Sequence, residues 1–157
     1  CSISGLICCL IMFIPKNKRQ FLFEFLFYCG IIGGIQAIFT PLLDDYGGYN
    51  FFYIQFFFKH AMIIAFPIYL RNNLGMKLTK FSWLKTYFAL NVLMILLIQL
   101  NNILGSNYMY VNVPPAVDNP MVIGEWPTYL YWWELFVLIL ILLVFVIGKP
   151  KTFEKAN

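Results

Sequence analysis

The sequence predicts an all-α, polytopic helical membrane bundle, and three observations predict it. Of its 157 residues, 61% are hydrophobic and only 11% are charged, whereas a soluble domain averages about half apolar and about a quarter charged residues. The mean hydropathy is +0.75. The charges are also segregated, since all but Glu24, Lys59, Lys85 and Glu134 lie in short polar segments between long apolar runs. This composition excludes a soluble enzyme, a disordered tail and a nucleic-acid binder, and the whole chain reads as a single transmembrane domain.

The elements follow in order. The first run, residues 1–14, opens on Cys1 with no basic segment ahead of it and rises only about 21 Å as a helix. It is expected to be a span cut short rather than a signal peptide, so the chain reads as a fragment. Residues 21–40, 51–70, 82–104 and 128–147 each have the roughly 20 residues that cross a hydrocarbon core of about 30 Å. Five transmembrane helices are expected in all, four of them complete.

The loops orient the bundle. Basic residues are retained on the cytoplasmic side, and acidic residues count little. Residues 15–20 carry Lys16, Lys18 and Arg19, residues 71–81 carry Arg71, Lys77 and Lys80, and the tail carries Lys149, Lys151 and Lys155. Residues 41–50 carry only Asp44 and Asp45, and residues 105–127 only Asp118 and Glu125. The alternation places the N-terminus outside and the C-terminus in the cytoplasm. Trp126, Tyr129, Tyr131, Trp132 and Trp133 crowd the outer start of the last span as an interfacial belt.

Polar groups inside spans are costly and usually face the bundle interior or a wet cavity. At about 1.5 Å per residue, His60 lies about 14 Å below the outer boundary, Glu134 about 9 Å and Cys1 about 9 Å. Gln36, Thr40, Gln99 and Asn102 share the outer half. On the second span Cys29, Gly33, Gln36 and Thr40 fall on one helical stripe, as Asn91, Ile95, Gln99 and Asn102 do on the fourth. Interhelical glue is the alternative role for these seams, at about 0.6 kcal/mol per hydrogen bond. Gly30 and Gly34 form a G-x-x-x-G that predicts close helix packing.

His60 is the only histidine, too few for a metal site but enough for a general base beside a nucleophile. Lys59 points about 100° away around the helix, toward Gln55. Pro67 frees the carbonyl of Ile63 and predicts a bend. Glu134 needs a partner, and His60 is the expected one. Glu24 and Lys85 lie near inner ends, where they are expected to reach water. Cys1, Cys8, Cys9 and Cys29 form no C-x-x-C pair and no ligand set with histidine, so neither a disulfide framework nor a metal site is predicted. The segment 105–127 is long and irregular, and an ordered loop of that length often has a function.

Several blocks carry a resemblance. The run from Cys29 through Gly33, Gly34, Gln36 and Thr40 to Pro41, then Gln55 through Phe56, Phe57, Phe58 and Lys59 to His60, then Gly105-Ser106-Asn107-Tyr108-Met109-Tyr110, then Gly124-Glu125-Trp126-Pro127, resembles the bacterial YwaF-type integral membrane proteins, distant relatives of eukaryotic transmembrane protein 164. The resemblance implies seven helices, of which this chain would be the last five, and a bacterial plasma-membrane location. It implies further an acyltransferase that moves fatty acyl groups between phospholipids, with Cys1 and His60 at the positions of its cysteine and histidine. Lys59 stands where relatives often carry a small residue, and Val113 precedes Pro114 where a basic residue is common.

Three functions are weighed on these residues. The first is a phospholipid acyltransferase or lipid hydrolase using Cys1 as nucleophile and His60 as base, because a thiol paired with an imidazole can form and resolve an acyl-thioester. The second is a proton-linked transporter or small-molecule binding protein using His60 and Glu134. The third is a purely structural bundle. Gln36, Thr40, Gln99, Asn102, Asn107, Tyr108 and Glu134 are the supporting or binding candidates. Membrane lipids are the expected partners, a phospholipid the expected substrate, and no cofactor or nucleic acid is called for.

Overall fold

A chain in hydrocarbon must satisfy its backbone polar groups internally, which leaves helices as the simplest spanning form for uninterrupted apolar runs. The computed structural model describes residues 1–41, 43, 51–116 and 119–151, so Asp44, Asp45, Asp118 and Lys155 of the charge pattern lie outside the described residues. Within them the chain forms α1 (Ser2–Leu10), extended by a 3-10 turn (Ile11–Phe13), then α2 (Gln20–Phe39), α3 (Phe51–Leu74), α4 (Ser82–Leu104), a 3-10 turn (Tyr108–Tyr110) and α5 (Thr128–Gly148). Helices α2 to α5 are long and apolar enough to cross a membrane, and α1 is a shorter apolar helix. The four full spans therefore form nearly where hydropathy predicts them, with α3 running four residues past the expected residue 70.

The ends have local causes. Pro41 follows close on α2, where it cannot continue a helix. Gly75 and Gly105 take left-handed backbone angles, φ 67° and 61°, after α3 and α4. At Gly105 the chain reverses so that the Ser106 N–H bonds the Asn101 carbonyl at 3.1 Å, the Schellman ending that glycine favours.

Helix α2 is the hub, packing against each of the other four helices. The main apolar core takes Ile7 and Ile11 from the first segment, Phe23, Phe25, Leu26, Phe27 and Tyr28 from α2, Leu70 from α3, Met76 and Leu78 from the following loop and Ile141 from α5. All of these lie toward the ends where the Lys- and Arg-bearing loops emerge, called here the basic end. A second cluster, Val111, Tyr129 and Leu130, joins only α4, α5 and the loop between them at the opposite end. The helices are thus gathered at the basic end, and away from it they divide into an α1–α2–α3 group and an α4–α5 pair.

The basic end is clasped by a polar network. Glu24 is fully buried, its Oε1 accepting from Gln20 Nε2 at 2.9 Å and from the Thr79 N–H at 3.0 Å, while Lys85 pairs with its Oε2 at 2.8 Å. This corrects the expectation that Glu24 reaches water, because the loop after α3 folds over the carboxylate and uses it to anchor Thr79. Gln20 also donates to the Lys77 carbonyl at 2.9 Å, and the Tyr28 and Ser82 hydroxyls bond at 2.7 Å.

Candidate functional site

The G-x-x-x-G of α2 brings α3 close enough to set the site. A Cβ on Gly30 would collide with the Ile63 carbonyl oxygen, and one on Gly34 would lie 2.6 Å from Ile64 Cγ1 and 3.1 Å from the His60 carbonyl oxygen. The Ile63 carbonyl is the one that Pro67, having no N–H, leaves without its helical donor. Glycine at position 30 lets an α-carbon approach that oxygen, the kind of Cα–H···O contact found where helices pack closely.

Seating α3 on Gly34 fixes His60. Its side chain is 95% buried, at 5% exposure, and Nδ1 lies 2.7 Å from the Phe56 carbonyl oxygen one turn earlier. A carbonyl can only accept, so in the neutral imidazole the proton sits on Nδ1 and the lone pair on Nε2. The ring also lies on Phe56, centroids 4.3 Å apart. His60 is thereby locked in rotamer and tautomer with Nε2 as its basic atom.

Helix α1 meets the same corner, packing against both α2 and α3. The Cys1 thiol donates to the Gly33 carbonyl at 3.7 Å, one residue before the glycine that touches His60. Lys59 reaches back to α1, where Nζ donates to Ser2 Oγ at 3.3 Å. Ser2 of α1 and Lys59 of α3 are thus in direct contact, while Cys1, just before α1, and the His60 backbone meet α2 at the neighbouring Gly33 and Gly34. The thiol's hydrogen bond goes to a backbone carbonyl and not to the imidazole.

The other candidates divide into separate places. Gln36 and Thr40 lie one and two turns above Gly33 and are half-buried, with Thr40 Oγ1 bonded to the Gln36 carbonyl at 2.9 Å. Glu134 accepts from Asn91 Nδ2 at 2.9 Å, an α4–α5 contact, so its partner is Asn91 where His60 was expected. Gln99 is exposed and stands apart from the corner. Asn102, Asn107 and Tyr108 belong to a cap over α4. In it Asn102 accepts from Asn112 Nδ2 at 2.8 Å, and Asn107 Oδ1 accepts from the Asn112 and Val113 N–H groups at 3.3 and 3.2 Å.

The centre of that cap is a residue the helical-stripe argument passes over. Asn101 is 1% exposed. Its Nδ2 donates to the Tyr108 carbonyl and Asn112 Oδ1, at 3.1 and 2.8 Å. Its Oδ1 accepts from Ser106 Oγ and the Tyr108 N–H, at 3.0 and 2.8 Å. The loop is then tied to α5, Tyr129 donating to the Tyr110 carbonyl at 2.6 Å and Trp126 to the Val111 carbonyl at 3.1 Å. The signal for Asn101 was its place four residues before Gly105, where a side chain can serve the reversing loop. Asn101→Ala strands several buried partners and is expected to cost about 2 kcal/mol, seen in hydrogen exchange as roughly tenfold or faster exchange at the Tyr108 amide.

At the far end, a cavity of ≈ 420 Å³ lies among Arg71, Gly75, Lys77 and Gly148. It faces the C-terminal ends of α3 and α5, whose unpaired carbonyls favour nearby cations, and it is remote from the thiol and the imidazole.

Compared with known families, the chain matches the TMEM164 family over residues 1–145. No curated protein and no solved structure matches it.

Proposed function

From the premise that this chain belongs to the TMEM164 family, we propose that it transfers fatty acyl groups between membrane phospholipids, Cys1 acting as nucleophile and His60 as base. The observation that carries the reading is the convergence of Cys1-Ser2 with Lys59-His60 beside Gly33 and Gly34, with the basic atom of the imidazole selected by the Phe56 carbonyl. The protein would work in a bacterial plasma membrane, in the YwaF-type branch of the family, on lipid drawn from that membrane. The proposed chemistry calls for no cofactor.

The transfer balances in two halves. Nε2 of His60 takes the thiol proton as the Cys1 sulfur attacks the ester carbonyl carbon of a phospholipid. The acyl C–O bond breaks, an S–C bond forms, and the imidazolium returns the proton to the departing lysophospholipid oxygen. An acceptor hydroxyl then gives its proton to Nε2 and attacks the thioester. The new ester forms, the S–C bond breaks, and the sulfur recovers a proton from the imidazolium. Replacing the acceptor by water gives hydrolysis with the same groups. To reach Nε2 the thiol must leave its bond to the Gly33 carbonyl.

The test uses detergent-solubilised full-length protein and phospholipid labelled in its acyl chain. Hydroxylamine-sensitive label should appear on the wild type, vanish in Cys1→Ala and accumulate about 100-fold more slowly in His60→Gln, in line with losing a general base. Absence of labelling in the wild type overturns the reading.

A further inference from the structure

Lys59 takes no part in the thiol and imidazole chemistry, yet it is built into the same corner. Its Nζ donates to Ser2 Oγ at 3.3 Å, and its stem runs past Gly5, where a Cβ would sit 3.7 Å from Cε. The partner is a neutral hydroxyl. Among the described residues the recorded ion pair is Lys85 with Glu24 at the basic end, so the charge of Lys59 meets a dipole and no carboxylate. A full positive charge inside a span is expensive unless a counter-charge reaches it. Among the described residues the charge is therefore left open to an anion from outside them.

The donors at the corner suit such an anion. The ammonium keeps two N–H groups beyond the one spent on Ser2, and the Ser2 hydroxyl keeps its own proton. The Lys59 side chain leans toward the N-terminal end of α3, away from the basic end. Ser2 follows the proposed nucleophile and Lys59 precedes the proposed base, which puts an anion held by the pair one residue from each reacting group.

We propose that Lys59 and Ser2 clamp the phosphodiester of a glycerophospholipid, Lys59 Nζ and Ser2 Oγ donating to its anionic oxygens, so that an acyl ester of the same lipid lies at Cys1. Charge-assisted hydrogen bonds from an ammonium to phosphate oxygen supply the affinity, and the short glycerol link sets the reach to the thiol. The role given to the clamp rests on the acyl-transfer reading; its lipid binding is measured separately.

The experiment is native mass spectrometry of full-length protein carrying Cys1→Ala, so that no acyl group is consumed. It is titrated with dioleoyl phosphatidylethanolamine and with dioleoylglycerol, which differ in the phosphate headgroup alone. The phospholipid is expected to bind at least about tenfold more tightly, a difference of about 1.4 kcal/mol. Lys59→Met and Lys59→Gln should each bring the two lipids within about twofold without weakening dioleoylglycerol, while Lys59→Arg keeps the preference and Ser2→Ala reduces it. A tenfold preference that survives in Lys59→Met or Lys59→Gln overturns the clamp. So does displacement of the lipid by an equal concentration of soluble glycerophosphoethanolamine, which would make the site one for free phosphodiesters. A wild type that shows the Lys59-dependent preference but forms no thioester overturns the acyl-transfer reading and leaves the clamp standing.

Discussion

Gly30→Ala is expected to part α2 from α3 and to destabilise the protein by at least about 2 kcal/mol, near the upper part of the range for overpacking a tight interface. The obstacle is a backbone carbonyl, that of Ile63, which no rotamer change can move. Alanine's better helix propensity returns at most about 1 kcal/mol. Gly34→Ala is expected to cost less, because the closest atoms belong to the Ile64 side chain, which can rotate. Gly33→Ala should be nearly neutral, since its Cβ would sit 3.7 Å from Cys1 Sγ, an ordinary contact. Thermal unfolding of the three variants in one detergent reads the ranking. Equal losses at positions 30 and 34 would contradict the argument from the Ile63 carbonyl. Because the α2–α3 contact also seats His60, Gly30→Ala should lose the proposed acyl transfer out of proportion to its unfolding.

Lys85→Met is the second large effect. Lys85 is the ionic partner of a carboxylate that is itself fully buried, while the lysine side chain is 45% exposed, so the cost of removing it falls between the roughly 0–1 kcal/mol of a surface pair and the roughly 3–5 kcal/mol of a fully buried one. About 2 kcal/mol is expected, because Glu24 keeps its bonds from Gln20 and the Thr79 backbone. Adding Glu24→Gln to Lys85→Met removes the stranded charge and should recover most of the loss, since the amide oxygen can still accept from Thr79. Glu24→Gln alone should cost less than Lys85→Met. Denaturant unfolding of the two single variants and the double variant closes the cycle, and an additive double variant would show that the two side chains do not act as a pair.

Much of this architecture was legible in the chain. The spans appear where hydropathy places them, because each residue's preference for hydrocarbon is set before any partner arrives. Gly30 and Gly34 were readable as a packing surface, and mid-span His60 as a buried polar group. The faces were less legible. The stripe through Asn91, Ile95, Gln99 and Asn102 assumes that α4 turns one polar face inward along its whole length. In the structure Asn101 is the buried residue and Gln99 and Asn102 are exposed. The loop after Gly105 folds back over the helix end and recruits whichever side chain lies beneath it, which a helical period alone does not encode. Lys59 was readable as a cation pointing away from His60. That it crosses to Ser2 of α1 depends on the register of a helix more than fifty positions away in sequence.

By itself the sequence determined that this is a multi-span helical membrane protein with basic and acidic loops in alternation, because burial in lipid and charge exclusion act residue by residue. Which residues meet was decided only by the tertiary structure. The rotation and depth of each helix are set by close contacts such as Gly30 against Ile63, and these pair Glu24 with Lys85, give Glu134 to Asn91 and gather Cys1, Ser2, Lys59 and His60 at one corner.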